Sequence, residues 1–286
     1  MPDSICYLNG GWGLLANAKV SVLDRGFIFG DGIYEVVPVF SGTAFRLTEH
    51  LQRLDQSLIS VGMKNPLSTL EWVARAERLI QANNAGDQNI YIQVTRGVAP
   101  RRHALTVEIE PTVFLMSSPV TLDLDAAPIA AITLDDFRWR RCDIKSTSLL
   151  ANVMSRFEAS LVGTEEAIFI RDGYVTEGAA SNVFVVRGGQ VRTPPLSADI
   201  LSGVTRGLMV ELLVRSEIDF IEGMISKQEL LSADEVWVTS SGQELVAVIR
   251  IDERPIGDGR VGTIFRHAQS IYQEFKQSFG TQEPHE

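Results

Sequence analysis

Lysine is scarce in this chain, and one of the five lysines stands apart from the others. Lys19 precedes a short strand-like run, Lys64 stands before Asn-Pro in a turn, Lys227 begins a capped helix and Lys276 lies near the end. Lys145 lies in Cys142-Asp143-Ile144-Lys145-Ser146-Thr147, directly before an apolar helical stretch. An amine held in a cleft beside apolar groups gives up its proton more readily, and the neutral form attacks carbonyl carbon. On an open surface the same side chain is only a solvated charge. Two other segments suit a phosphate. Leu201-Ser202-Gly203-Val204-Thr205-Arg206 opens a helix with a glycine, a hydroxyl and free backbone N–H groups, which is an anion seat as well as an ordinary capped start. Val238-Thr239-Ser240-Ser241-Gly242 ends an apolar strand in three hydroxyls and a glycine, and reads equally as a polar turn. Glu177 lies among small residues in Tyr174-Val175-Thr176-Glu177-Gly178-Ala179-Ala180-Ser181-Asn182, where a carboxylate can approach a ligand closely or face solvent.

Each of these signals is weak singly. Together they supply an amine, a ring partner and two phosphate seats, the set that pyridoxal 5′-phosphate (PLP) requires. In that setting Glu177 keeps the pyridine nitrogen protonated, so the ring can act as an electron sink. Other chemistries fare worse. His50, His103, His267 and His285 show no metal-ligand spacing. The phosphate-loop and serine-elbow motifs are missing, and Gly26, Gly30 and Gly32 are too irregularly spaced for a dinucleotide fingerprint.

The elements that must position these residues are those of a globular chain. It has 286 residues, 45% hydrophobic and 22% charged, enough for one large domain or two ordinary ones. Lys and Arg number 26 against 36 Asp and Glu, a net charge of −10. The short run Arg138–Arg141 is interrupted by Trp139, so nucleic acid and anionic membranes are poor partners. Cys6 and Cys142 build no disulfide framework. The start, Met1-Pro2-Asp3-Ser4, lacks the features of a signal peptide and no apolar run approaches a membrane span, so a soluble cytoplasmic protein is expected.

Residues 4–46 read as short strands and turns, with 33–40 apolar enough for a strand buried on both faces. Thr48 is a candidate cap for a helix carrying Leu51, Leu54 and Leu58, and a second helix is expected from Ser68 to about Asn83. Strands follow at 89–96 and 111–117, and Ser117-Ser118-Pro119 is the expected linker. Beyond it the pattern predicts strands near 127–134, 166–171, 181–187, 234–240 and 244–251, and helices near 147–161, 203–216 and 259–278. Strands and helices interleave without a regular βαβ period, which predicts a mixed α/β (α+β) fold rather than a doubly wound sheet. Two domains are expected, a small α/β domain over 1–118 and a larger cofactor-binding domain over 119–286, with a cleft dividing them.

The segment Asp24-Arg25-Gly26-Phe27-Ile28-Phe29-Gly30-Asp31-Gly32-Ile33-Tyr34-Glu35 resembles the N-terminal signature of the class IV, or fold-type IV, PLP-dependent aminotransferases. His50-Leu51-Gln52-Arg53-Leu54, Ile144-Lys145-Ser146, Thr176-Glu177-Gly178 with Ser181-Asn182, and Gly203-Val204-Thr205-Arg206 follow in the family's order. The resemblance implies a small α/β domain and a larger pseudo-barrel domain. It implies that Lys145 carries PLP as a Schiff base and shuttles a proton between the substrate α-carbon and C4′ of the cofactor. Glu177 would bind the pyridine nitrogen. Arg53, Val204, Thr205 and Ser241, with the adjoining Ser240, would hold the phosphate, and Ser181 and Asn182 would line the cofactor. It also implies a homodimer with sites at domain and subunit boundaries.

Within the family, Thr95-Arg96-Gly97-Val98-Ala99-Pro100-Arg101-Arg102-His103 looks like the R-x-H element of the D-amino-acid transaminases, with Tyr34 as its third member. An arginine fork suits a carboxylate, and His and Tyr complete the trap. In that branch Arg101 and His103 reach the partner subunit's site. Two departures are expected to soften cofactor retention: Ala179-Ala180 where serines are usual, and Ser241-Gly242-Gln243 in place of a threonine-rich turn. Arg102 is an extra arginine inside the trap, a candidate modifier of the preference for mono- or dicarboxylic substrates. The expected activity is ping-pong amino transfer between D-amino acids (D-alanine, D-glutamate) and 2-oxo acids (2-oxoglutarate, pyruvate). The alternatives are a branched-chain L-aminotransferase, an (R)-amine transaminase or an aminodeoxychorismate lyase of the same fold, and, from another class, a non-catalytic PLP-binding sensor.

Overall fold

A computed structural model describes residues 3–84, 86–104, 108–120 and 127–279. The chain divides into two compact units, Met1–Thr121 with Ile144–Leu149, and Leu122–Asp143 with Leu150–Glu286.

The first unit holds β1 (Ile5–Leu8), β2 (Gly11–Leu14), α1 (Arg25–Phe29), β3 (Gly32–Phe40), β4 (Thr43–Ala44), α2 (Leu47–Ser60), α3 (Thr69–Asn83), β5 (Gln88–Thr95) and β6 (Thr112–Pro119). Its six strands form one sheet in the order β2-β1-β6-β5-β3-β4, antiparallel at every pairing. Period-two alternation puts Ile33, Glu35, Val37 and Val39 on one face, each fully buried, while Tyr34 and Val36 on the other face are half-buried. Strand β3 is therefore not buried equally on both sides. Leu51, Leu54 and Leu58 of α2 and Trp72, Ala76 and Leu79 of α3 complete the core, together with Ile144 from the returning segment. Helix α3 starts at a capping box, in which Ser68 and Glu71 satisfy each other's backbone N–H, and ends at Asn84 with φ 36°. Helix α2 begins differently from expectation. Arg46, not Thr48, is its N-cap, in a left-handed conformation without a capping side chain. The expected linker Ser117-Ser118-Pro119 is the end of β6, paired with Ile90, Asn89 and Gln88.

The second unit holds β7 (Ile129–Asp135), α4 (Leu150–Leu161), β8 (Glu166–Arg171), β9 (Tyr174–Gly178), β10 (Asn182–Arg187), β11 (Gln190–Thr193), α5 (Val204–Arg215), β12 (Phe220–Glu222), α6 (Lys227–Leu231), β13 (Glu235–Ser240), β14 (Glu244–Ile251), β15 (Arg254–Pro255) and α7 (Thr263–Phe279). The nine strands run β12-β11-β10-β13-β14-β7-β8-β9, with β15 on β14. Strand β9, at the end of this path, leads through Ala179–Ser181 into β10, in its middle, and the Gly178 N–H donates to Ser181 O at 2.7 Å. Val183, Val185, Val236, Val238, Val246, Val248 and Ile251 fill one face of the sheet. Both units mix helices with sheets, so the fold is α/β of the α+β kind. Ile144–Leu149 groups with the first unit although it follows β7 in sequence.

Candidate active site

In the first unit Lys145 is fixed by its backbone before its side chain is considered. The Tyr34 N–H donates to Lys145 O at 3.0 Å, the Lys145 N–H to Ser57 Oγ at 3.3 Å, and Ile33 bridges Ser146. The half-buried amine then lies 3.4 Å from Tyr34 Oη and 4.4 Å from the centre of its ring. Tyr34 stacks on Tyr91 at 5.7 Å, so the phenol facing the lysine has a fixed plane.

Arg53 is buried on α2, and its Nε and Nη2 meet the two oxygens of Glu35, each at 2.7 Å. Glu35 also accepts from His50 Nδ1 at 2.8 Å. Burial alone would push the Glu35 carboxyl up, but the charge and hydrogen bonds of Arg53, with those of His50, bring it down to about 2. Glu35 is therefore an anion that orients the guanidinium, and no role was assigned to it from sequence. Burial, aided by the charges of Arg53 and Lys145, lowers the His50 pKa against the pull of Glu35.

Arg101 and His103 are exposed, and both lie against Phe29 of α1. The Arg101 guanidinium stands 5.4 Å from the ring centre and the imidazole 5.3 Å from it. The backbone beneath them is tied to α1, because Arg25 Nη1 donates to Arg102 O at 2.6 Å.

In the second unit Glu177 is 5% exposed and surrounded by donors. Arg138 Nη1 reaches Oε1 at 2.5 Å, while the Leu201 N–H at 2.9 Å and Asn182 Nδ2 at 3.3 Å reach Oε2. Burial raises the Glu177 pKa despite Arg138. Arg138 also grips Asp136 through Nε at 2.9 Å and Nη2 at 2.8 Å, and Arg171 pairs with Asp136 at 3.0 Å and with Asp199. Glu177, Arg138, Asp136, Arg171 and Asp199 thus alternate in sign. In the sequence Arg138 lies within the short basic run Arg138–Arg141, which does not mark it out. The Asp136-Phe137-Arg138 spacing was the available signal, since an i, i+2 pair on extended backbone shares a face.

The remaining residues named from sequence divide into those near a phosphate seat and those acting on neighbours. Asn182 holds Glu177 and donates to Leu201 O at 2.9 Å, and the Ser181 hydroxyl donates to Glu166 at 2.8 Å. Val204 and Thr205 form the first turn of α5, where Gly203 supplies no capping side chain. A Cβ at Gly203 would stand 2.1 Å from Asn182 Oδ1, so glycine is what lets the Glu177 shelf and this helix start meet. At the end of β13 the Ser240 hydroxyl accepts the Gln243 N–H at 3.2 Å, Ser241 is half-buried, and Thr239 Oγ1 is buried with no hydrogen-bond partner among the described residues. Thr239 is the first of the three hydroxyls that the sequence offers at this strand end. Ala179, one of the two departures, packs with Ala159, Ala167 and Phe169, so its side chain belongs to the core.

These residues fit PLP. A carboxylate offers about four acceptor sites, and three donors meet Glu177, which leaves capacity for a pyridine N–H. The uncapped start of α5 and the unpartnered Thr239 hydroxyl suit phosphate oxygens. Among the described residues no cluster could hold a metal ion, and no helix is long and apolar enough to cross a membrane.

Residues 32–251 match the family model described as amino-transferase class IV. The chain is 40% identical to a D-alanine aminotransferase of Bacillus licheniformis over 90% of its own length and 92% of that relative. A D-alanine aminotransferase of Staphylococcus aureus is 38% identical over 95% of this chain and 98% of the relative. Among solved structures, the branched-chain aminotransferase of Thermoproteus uzoniensis with norvaline superposes with a TM-score of 0.85 at 27% identity, covering 95% of this chain and 94% of that one.

Proposed function

Because the chain belongs to the class IV aminotransferases, enzymes that work with PLP, we propose that it exchanges amino groups between D-amino acids and 2-oxo acids, D-alanine and D-glutamate with 2-oxoglutarate and pyruvate. The observation that carries this reading is the Arg101-Arg102-His103 element, presented against Phe29, in a chain 40% identical to a D-alanine aminotransferase.

PLP, when bound, supplies an electron sink that acidifies the α-hydrogen of an attached amino acid. Lys145 would carry the cofactor and move the proton at the α-carbon. Tyr34 Oη, 3.4 Å from its Nζ, restricts the directions the amine can take. Arg53, oriented by Glu35, would grip the phosphate, with the Val204 and Thr205 backbone and the Ser240 and Ser241 hydroxyls as further donors. Glu177 would hold the pyridine nitrogen, with Asn182 and Ser181 shaping the shelf around it. Tyr34, Arg101 and His103 would bind the substrate carboxylate. The working form would be a homodimer, a reading supported by the apolar stripe that α4 leaves exposed, and its place would be the cytoplasm.

The test is a parallel assay of D- and L-alanine with 2-oxoglutarate on the PLP-loaded protein. Turnover of D-alanine, abolished in Lys145→Ala, is expected. Turnover confined to the L-enantiomer would overturn the stereochemical assignment in favour of a branched-chain L-aminotransferase.

A further inference from the structure

The segment bearing Arg101 and His103 is strapped to the N-terminal signature more firmly than a surface loop needs. The Arg25 N–H donates to Gly97 O at 2.9 Å, Asp24 bridges Val98, and the Arg96 N–H donates to Asp31 O at 3.1 Å. Gly97 has φ 100°, and a Cβ there would lie 1.9 Å from Glu110 O, so only glycine lets the loop leave the sheet at this point. The side chains add a second layer. A single oxygen of Asp31 accepts from Arg25 Nε and Arg96 Nε, each at 2.8 Å. Arg96 continues to Val61 O at 2.7 Å, the residue that closes α2. Arg25, 6% exposed, sends Nη1 to Arg102 O and lays its guanidinium 4.8 Å from the Phe29 ring centre. The same ring carries Arg101 and His103.

We propose that Arg25, held by Asp31, and Phe29 are positioning residues for the substrate-carboxylate trap, fixing the directions of Arg101 and His103 before substrate arrives. This rests on the reading of Arg101 and His103 as that trap. An arginine on an exposed loop loses rotamer and backbone freedom when it grips a carboxylate, and that loss weakens binding. Here the loop backbone is already fixed at Arg102 O, and both side chains rest on one aromatic plane. The arginine pair also draws the Asp31 carboxyl below its usual range in spite of its burial, so the strap stays charged. The strap uses the Arg102 backbone oxygen rather than its side chain.

The experiment follows single-turnover bleaching of the cofactor's visible band with D-alanine and with D-alaninol, which lacks the carboxylate. Arg25→Lys, Phe29→Leu and the reference variant Arg101→Ala are compared as holoenzymes, each shown to be folded by circular dichroism. Lysine cannot reach both Asp31 and Arg102 O as a fork does. The saturation constant for D-alanine is expected to rise about tenfold in Arg25→Lys and about threefold in Phe29→Leu, at nearly unchanged limiting rate and with D-alaninol unaffected. A purely structural role would weaken both donors alike, and that result overturns the proposal. So does an unchanged D-alanine constant in both variants when Arg101→Ala is weakened. If Arg101→Ala itself behaves like the parent protein, the trap reading falls and takes the positioning role with it.

Discussion

Glu177 is a carboxylate that the fold makes expensive to ionise. Burial raises its pKa above the 4.5 of a free glutamate even with Arg138 at 2.5 Å. A group raised in the folded state contributes stability at acid pH, and that contribution is lost as pH rises through the folded value. In the cofactor-free protein Glu177→Gln is therefore expected to melt no lower than the parent, with an advantage that grows as pH rises above the ordinary glutamate range. Arg138 is not orphaned by the change, because Asp136 still accepts its Nε and Nη2. PLP affinity should move the other way, falling about tenfold for loss of one charged hydrogen bond. Calorimetry of the apo forms and titration with PLP check the two signs separately. A variant less stable than its parent at pH 8 would refute the reading of Glu177 as a stored electrostatic cost. At this scale residue type and motif make Lys145, Glu177 and Arg53 candidates in the sequence. It did not reveal Arg138 or Glu35, whose significance lies in a partner far along the chain.

Among the elements, α4 is the one with an unmet need. Leu150, Val153, Met154, Phe157 and Leu161 recur at helical spacing and are 74%, 61%, 53%, 63% and 68% exposed, too regular a stripe for scattered surface residues. If a second copy of the chain covers it, Phe157→Glu places a charge in an apolar contact and weakens association by roughly 2 kcal/mol or more. Sedimentation velocity across a dilution series should show the variant dissociating where the parent stays dimeric; a monomeric parent at every concentration would refute it. Element ends were legible wherever the signal was local. Ser68 with Glu71, Ser226 with Glu229 and the left-handed Asn84 mark their helices from within a few residues. Arg46 at the start of α2 and Ser117-Ser118-Pro119 in β6 were not, since neither residue type announces its conformation. The second of these is set by pairing with β5 and overrides a turn-like composition.

At the scale of the whole molecule, the chain folds as two compact units. The sequence showed the density of strands and helices but not the order in which strands lie. Neighbours such as β14 and β7 are more than a hundred residues apart along the chain, beyond the reach of periodicity. The passage of six residues from the second unit to the first and back, Ile144–Leu149, was equally hidden, because nothing in Ile-Lys-Ser-Thr-Ser-Leu reads as belonging to a distant core. That passage governs how the gene can be recombined. A chimera made with one junction near residue 120 would inherit Lys145 and its flanks from one parent and the sheet that receives them from the other. Ile144 would then fill a hole shaped for a different side chain, and Tyr34 would meet a foreign lysine backbone. Exchange of the first unit between relatives needs paired crossovers that carry residues 144–149 along with it. Otherwise the lineage of the reactive amine and that of its seat come apart.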